Sequence, residues 1–182
     1  GVGTKNLVYA LSVWNNGTGA ALYVGGRFEM AGGQPVNYIA RWNGSVWSAL
    51  SSDGVSGVDG FVDALTTWDD GSGSALYVGG RFALAGTVTA TRIAKWNGSS
   101  WSALAGPSGE GVTSGVRAMK GFSEGATNHL VVGGDFALAG GVGVSGIARW
   151  DGSTWSAFPG SAVGANGYVL ALGVLDDSGG PS

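Results

Sequence analysis

The sequence predicts an all-β protein, folded as a β-propeller of four-stranded antiparallel blades. Three observations predict it: a repeat of 54 residues, short apolar runs rich in Val, Tyr and Trp, and 37 glycines among 182 residues. Glycine costs about 0.8 to 1.0 kcal/mol per site in a helix relative to alanine, but it suits tight turns. Short strands joined by glycine-containing turns are therefore expected.

The repeat has three landmarks with one common period. Leucines 54 residues apart open the segments LYVGGRF, LYVGGRF and LVVGGDF, namely Leu22, Leu76 and Leu130. Two sets of tryptophans keep the same spacing, Trp42, Trp96 and Trp150 in the IARWNGS-like segments and Trp47, Trp101 and Trp155 in the WSAL-like segments. Because no insertion disturbs the period, the copies predict equal structural units. We place these repeats at about 8–61, 62–115 and 116–168, in one propeller segment spanning 1–182.

Each period divides into four strands. Strand A is the VxAL run, as in VDALTTW at 62–68, and strand B is the ALYVGG run, whose unbroken apolar character indicates burial of both faces. Strand C is the IARW run and strand D is the WSAL run. A fourth copy of strand A, VLALGVL at 169–175, is not followed by another strand B. The pattern therefore predicts three full blades plus one extra inner strand.

The turn between strands C and D contains Asn43-Gly44, which is typical of a two-residue type I′ hairpin. Such a turn pairs Trp42 with Ser45 and places both tryptophans of the blade on one face of the sheet. Ile39 and Leu50 then lie on the opposite face. A sheet that is apolar on both faces has to be covered on both sides, which stacked blades achieve and the two layers of a sandwich do not. A period near 50 residues with four strands is also typical of kelch propellers.

At these segments the sequence resembles a known family. LYVGGRFEMAGG followed by IARWNGSVWSAL is similar to the Gly-Gly propeller repeats of kelch-like and Rax2-like surface proteins and of large bacterial extracellular proteins. The resemblance covers essentially the whole chain, once per period. It implies blades ordered from A at the central channel to D outside, a role in recognition or scaffolding, and a place outside the cell or on its surface.

Three blades do not close a propeller ring, which typically has four to eight. We therefore expect either a segment of a longer propeller or self-association that supplies the missing blades. Two chains would give six.

Composition excludes several classes of function. The net charge of -3, with basic residues scattered along the chain, gives no footprint for nucleic acid. There is no apolar stretch long enough for membrane insertion, and the first residues, GVGTKNL, do not form a signal peptide. With no cysteine and one histidine, the sequence predicts no metal site, no cofactor and no catalytic group, so we expect a protein that is not an enzyme.

Three features have both a structural and a functional interpretation. The tryptophans could stack on sugar rings, but a role in the core fits their fixed positions better. The acidic pairs Asp69-Asp70 and Asp176-Asp177 could bind calcium, but they lack the spacing of a calcium loop and suit a turn. Asp135 replaces an arginine of the repeat, and we expect it to pair with Arg81 of the neighbouring blade.

The copies differ most in the B–C and D–A connections, which a propeller places on one face. Loops on a rigid scaffold are common binding sites. We therefore expect ligand contacts on this face at Gln34, Asn37, Thr89 and Arg92. The predicted function is a non-catalytic structural or interaction module with a protein or glycan ligand. The alternatives are a carbohydrate-binding propeller and, third, a glycoside-active propeller enzyme.

Overall fold

A computed structural model of the chain describes residues 3–106, 109–124, 127–159 and 167–174. In these ranges the regular elements are strands, and the larger sheets are three antiparallel sheets of four strands each. This confirms the predicted all-β class and the four-stranded blades.

Blade 1 contains one four-stranded sheet and two short hairpins. Its strands are β1 (Leu7–Asn15), β2 (Ala20–Arg27), β3 (Met30–Ala31), β4 (Gln34–Pro35), β5 (Ile39–Trp42), β6 (Trp47–Ala49), β7 (Ser51–Ser52) and β8 (Val55–Ser56). The sheet has the order β1-β2-β5-β6, while β3 pairs with β4 and β7 with β8. The predicted strands A, B, C and D are therefore β1, β2, β5 and β6.

Blades 2 and 3 repeat this order. Blade 2 consists of β9 (Val62–Asp69), β10 (Ser74–Gly80), β11 (Leu84–Ala85), β12 (Val88–Thr89), β13 (Ile93–Trp96), β14 (Trp101–Ala103), β15 (Ala105–Gly106) and β16 (Gly109–Glu110). Blade 3 consists of β17 (Val116–Glu124), β18 (Thr127–Gly134), β19 (Leu138–Ala139), β20 (Val142–Gly143), β21 (Ile147–Trp150) and β22 (Trp155–Ala157). The A strands of successive blades lie together, since β9 contacts both β1 and β17.

The hydrophobic core lies between the blades. We call the face of a blade that packs on the next blade along the chain its trailing face, and the opposite one its leading face. Tyr23 and Ile39 of the trailing face of blade 1 share a buried cluster with Leu76 and Val78 of the leading face of blade 2. The equivalent residues of blades 2 and 3 form a second cluster. Fully burying such side chains contributes about 1.5 to 3 kcal/mol each, so each blade depends on its neighbours.

The Gly-Gly pair of strand B has two separate steric roles. A Cβ on Gly79 would lie 2.5 Å from Cγ1 of Val116, the first residue of strand A in the next blade. A Cβ on Gly80 would lie 2.0 Å from the carbonyl oxygen of Phe61, just before strand A of its own blade. The same two contacts recur in the other blades, at Gly25 and Gly26 and at Gly133 and Gly134. The first glycine thus admits the neighbouring blade, and the second admits the strand beside it.

The turn between strands C and D differs from the predicted one. Trp42 pairs directly with Trp47 rather than with Ser45, and their ring centroids are 5.2 Å apart. Residues 43–46 therefore lie between the two strands, Gly44 has φ +97°, and the Asn43 amide donates to the Val46 carbonyl at 3.4 Å. Asn43 Oδ1 also accepts the Ser45 and Val46 amides, at 3.0 and 2.9 Å. This side-chain closure lengthens the loop, so the predicted register was wrong, although both tryptophans do share one face.

The predicted extra inner strand at 169–175 has no strand pairing in its described part, residues 169–174. A strand needs a hydrogen-bonded partner, and the sequence holds no fourth copy of strand B. These residues nevertheless occupy the place of a next strand A. A Cβ on Gly133 would lie 2.5 Å from Val169 Cγ1, so Val169 fits against this glycine as Val62 and Val116 fit against Gly25 and Gly79. The Val169 amide also donates to the Gly134 carbonyl at 3.1 Å.

Candidate functional site

The B–C and D–A connections lie side by side and form what we call the loop face. Both fold as short hairpins rather than as open loops. Isolated bridges join a D–A to a B–C connection at Val58 and Ala85 and at Val112 and Ala139, and Thr4, which precedes blade 1, bridges Ala31 in the same way. The loop face is therefore a hydrogen-bonded extension of the blades.

Asp59 shows how one side chain fastens these connections together. Its Oδ1 accepts the backbone amides of Ala83 and Leu84 at 2.7 and 2.8 Å. One period later the Thr113 hydroxyl accepts the amides of Ala137 and Leu138 at 3.2 and 3.1 Å. The two side chains differ in charge but place an acceptor oxygen at the same point, which indicates a structural role for both.

Two of the predicted ligand contacts, Asn37 and Arg92, are used by the scaffold. Asn37 has φ +49°, and its Nδ2 donates to the Ser56 carbonyl at 3.1 Å. Arg92 has φ +69°, and its guanidinium donates to the Phe82 carbonyl at 3.2 Å. These bonds hold the loop face in shape, and sequence alone could not show that the polar groups were already engaged.

The other two, Gln34 and Thr89, are exposed on the short hairpins of blades 1 and 2. Gln34 lines an open groove of about 570 Å³ together with Trp42 and Trp47. Thr89 ends strand β12 and is free to meet a ligand from solvent. This pair is therefore exposed, whereas Asn37 and Arg92 are half-buried and bonded to the backbone of the loop face.

A β-bulge near the start of strand A redirects one side chain per blade. The register of pairing with strand B skips Tyr9, Asp63 and Arg117, which occupy equivalent positions. A bulge leaves its extra residue out of the ladder and turns the side chain. In blades 2 and 3 this turn brings charged groups of neighbouring blades together.

These charges form a network across the boundary between blades 2 and 3. Asp63 Oδ2 lies 3.0 Å from Arg81 Nε and 3.5 Å from Arg117 Nη1. Arg117 Nη2 in turn lies 3.3 Å from Asp135 Oδ2. The predicted pair of Asp135 with Arg81 is therefore wrong, because the bulge inserts Arg117 between them. The charges of the network alternate in sign, and its ion pairs join neighbouring blades, which favours a structural role.

A cleft of about 490 Å³ opens on the loop face beside blade 1. Its lining combines two cations, a carboxylate and aromatic rings, and includes Lys5, Arg27, Glu29, Tyr38 and Phe61. The Arg27 guanidinium lies 5.0 Å from the centroid of the Phe61 ring, and the Tyr38 ring packs edge-on against it at 5.7 Å. Burial, together with the Glu29 carboxylate, raises the pKa of the Tyr38 hydroxyl. This hydroxyl stays protonated and donates to Glu29 Oε1 at 3.4 Å.

The tryptophans fall into two environments. Those of blades 2 and 3 are buried between sheets, and Trp155 Nε1 donates to the Leu104 carbonyl of the preceding blade at 3.0 Å. Trp42 and Trp47 of blade 1 are half-buried, because within the described chain no blade covers that leading face. Their exposure follows from their place in the stack.

The acidic turn at Asp69-Asp70 is closed by its own hydrogen bonds. Asp69 Oδ1 accepts the amides of Gly71 and Gly73 at 2.8 and 3.0 Å. Asp70 forms an ion pair with Lys95 and also accepts a bond from the Tyr77 hydroxyl at 3.0 Å. Burial works to raise the pKa of Asp70, but hydrogen bonds from Lys95 and its other partners hold it well below the usual range. The predicted acidic pair Asp176-Asp177 lies outside the described residues.

Within the described ranges, no three acidic, histidine or cysteine side chains are grouped as metal ligands. The same ranges contain no helix of a length and apolarity that would cross a membrane.

Sequence reasoning missed the cleft and the charged network. The only signal was that positions 9, 63 and 117, inside the otherwise regular VxAL run, carry Tyr, Asp and Arg. That variation did not reveal a bulge, because the bulge arises from the pairing of strand A with the glycines of strand B.

The model of a protein family described as the Rax2 C-terminal beta propeller domain matches residues 4–178. The match covers all three blades and the segment that follows them. Comparison with curated proteins and with solved structures gives no match.

Proposed function

This chain belongs to the family of Rax2 C-terminal β-propeller domains, and from that premise we propose that it is a non-catalytic interaction module. Its blades provide a rigid support, and its loop face binds a partner through the cleft beside blade 1.

The observation that carries the proposal is that acidic side chains of the described residues hold the fold together. The carboxylates of Asp59, Asp63 and Asp70 are each engaged in fastening a loop, a blade boundary or a turn. A general acid or base needs a carboxyl group that can reach a substrate proton. Their engagement in the fold supports a non-catalytic role.

The cleft suits a polypeptide better than a neutral sugar or a nucleic acid. Lys5 and Arg27 attract carboxylates, Glu29 attracts a cation, and the rings of Tyr38 and Phe61 offer apolar area. Interfaces with proteins are enriched in aromatic residues and Arg at such positions. A mixed-charge peptide segment therefore matches the lining.

The experiment is photocrosslinking to a library of mixed-charge peptides with the photoreactive group at Lys5. We expect adducts that are lost in Phe61→Ala and retained in the control Val55→Ala, whose side chain is exposed on another hairpin of the loop face. Equal labelling of both variants would refute a binding role for the cleft.

A lectin function is the second candidate, because Trp42 and Trp47 line the open groove with Gln34. The structure explains their exposure by the uncovered leading face, which weakens this alternative. A glycan array decides between them: a sugar that the chain retains and that Trp42→Ala releases would establish the lectin. The third candidate, a glycoside-active enzyme, requires turnover on the same glycans, and we expect none.

We also propose a location outside the cell or on its surface, supported by the similarity of the Gly-Gly repeats to those of surface proteins. Antibody labelling of intact cells tests it, and labelling only after permeabilisation would contradict it.

A further inference from the structure

The leading face of blade 1 is an apolar surface of a kind that is covered elsewhere in the chain. Val8 and Leu11 are 42% and 60% exposed, whereas Val62, which takes the place of Val8 in blade 2, is 0% exposed. The groove lined by Trp42 and Trp47 continues the same face. Large exposed apolar patches of this type mark interaction surfaces.

The other blade boundaries show what covers such a face. Each time, the first valine of strand A fits against the first glycine of a strand B, as Val62 does on Gly25 and Val116 on Gly79. Around this contact the trailing face supplies aromatic and aliphatic side chains. The matching partner is therefore the trailing face of another blade of this repeat.

Blade 3 has a trailing face that no blade covers in the described chain. Phe122, Val131, Ile147 and Phe158 surround a remaining gap of about 120 Å³ there, against Leu172. In place of a leading face, this surface carries only the segment 167–174.

That segment is a partial substitute for a blade. Val169 and Leu172 reach Gly133 as Val62 and Leu65 reach Gly25, but Tyr168 and Leu170 are 71% and 69% exposed. It has no strand pairing, and it brings no equivalent of Leu76, Trp96 or Trp101, which complete the leading face of blade 2. Strand β1, with the same V-x-A-L pattern, is paired along its length with β2.

We propose that two copies of this chain join head to tail, the leading face of blade 1 in each copy displacing the segment 167–174 from the trailing face of blade 3 in the other. The exchange replaces a small apolar contact by a full blade boundary, and apolar burial favours the larger area. Two such boundaries give a closed ring of six blades, within the usual range of four to eight. At the boundary Tyr9 would take the place that Arg117 has between blades 2 and 3, and Arg117 would take the place of Asp63.

Light scattering coupled to size-exclusion chromatography tests the proposal on the 182-residue chain. We expect a mass of twice 18.1 kDa. Leu11→Asp places a charge in the interface and should weaken the dimer by more than roughly tenfold. Leu84→Asp, the same change at a leucine exposed on the β11 hairpin, should leave it intact. A monomer at every concentration, an open series of oligomers, or a dimer that tolerates Leu11→Asp would overturn the proposal.

The orientation has its own test on the trailing face of blade 3. Ile147→Asp, in the lining of the gap beside Leu172, should weaken the dimer as Leu11→Asp does. A dimer that tolerates Ile147→Asp but not Leu11→Asp would instead show two leading faces in contact. Val169→Asp, which loosens the displaced segment, provides a second readout: it should strengthen dimerisation, and an unchanged or weakened dimer would contradict the exchange. The outcome does not depend on ligand binding at the cleft, so the two proposals fail separately.

Discussion

Trp155 and Trp101 hold equivalent positions, but only Trp155 has a hydrogen bond. Its Nε1 donates to the Leu104 carbonyl across a blade boundary, whereas Trp101 Nε1 is buried without a partner in the described structure. A net hydrogen bond contributes about 0.5 to 1.5 kcal/mol. We expect Trp155→Phe to lower the free energy of unfolding by about 1 kcal/mol more than Trp101→Phe. Urea denaturation of both variants measures the difference, and equal losses would mean that the bond contributes nothing.

The acidic turn of blade 2 makes stability depend on pH. The pKa of Asp70 is lowered in the folded state, so its ion pair contributes fully above the ordinary pKa near 3.8 and is lost as the pH falls below it. Asn16 closes the equivalent turn of blade 1 without a charge, accepting the Thr18 amide at 3.2 Å. Asp70→Asn should therefore keep the turn but lose about 1 to 3 kcal/mol at neutral pH.

Melting temperatures at pH 7 and pH 2 measure this effect. The difference between wild type and Asp70→Asn should be large at pH 7 and shrink at pH 2. A constant difference would show that Asp70 acts through packing alone. Asn16→Asp is the matched reverse change. It places a carboxylate in the equivalent turn of blade 1, where Arg41 takes the place of Lys95.

At the scale of the element, the Gly-Gly motif of strand B has a steric explanation. The second glycine of the pair, Gly80, leaves no room for a Cβ against the Phe61 carbonyl. Gly143, in strand β20, has open space where a Cβ would be, and its φ is not positive. Gly80→Ala should destabilise the protein by about 1 to 3 kcal/mol or more, because the clash is with backbone, while Gly143→Ala should be neutral. Thermal unfolding compares the two, and equal melting temperatures would remove the steric explanation.

The short hairpins change how the loop face is understood. The sequence predicted variable loops there, and variability suggested ligand contacts. The structure shows that Asn37 and Arg92 maintain the backbone of these connections, with φ of +49° and +69°. A polar residue in a variable loop can therefore be structural when its backbone adopts the left-handed region.

At the scale of the whole molecule, burial depends on the position of a blade in the stack. Trp42 and Trp47 should account for most of the fluorescence that acrylamide quenches in monomeric Leu11→Asp, because the tryptophans of blades 2 and 3 are buried. Adding Trp42→Phe and Trp47→Phe should remove most of that quenching. Undiminished quenching would mean that the blades open in solution.

The boundaries between blades also separate the features that the sequence could predict from those that it could not. The 54-residue period, the four strands and the need for cover on both faces follow from local patterns, because strand alternation and glycine turns act over a few residues. The bulge at Asp63, the insertion of Arg117 before Asp135 and the cleft at Phe61 were not predictable, because they join residues of different blades or strands.

The sequence by itself determined the repeat, the strands and the two-sided burial of each sheet, since these depend on residue type and spacing. Only the tertiary structure decided which of the repeated faces is covered. Val8, Val62 and Val116 read alike in the chain, yet Val8 is exposed and the other two are buried. The physical reason is that a blade face is buried only where a neighbouring blade covers it. The repeated sequence does not show which copy has an uncovered face.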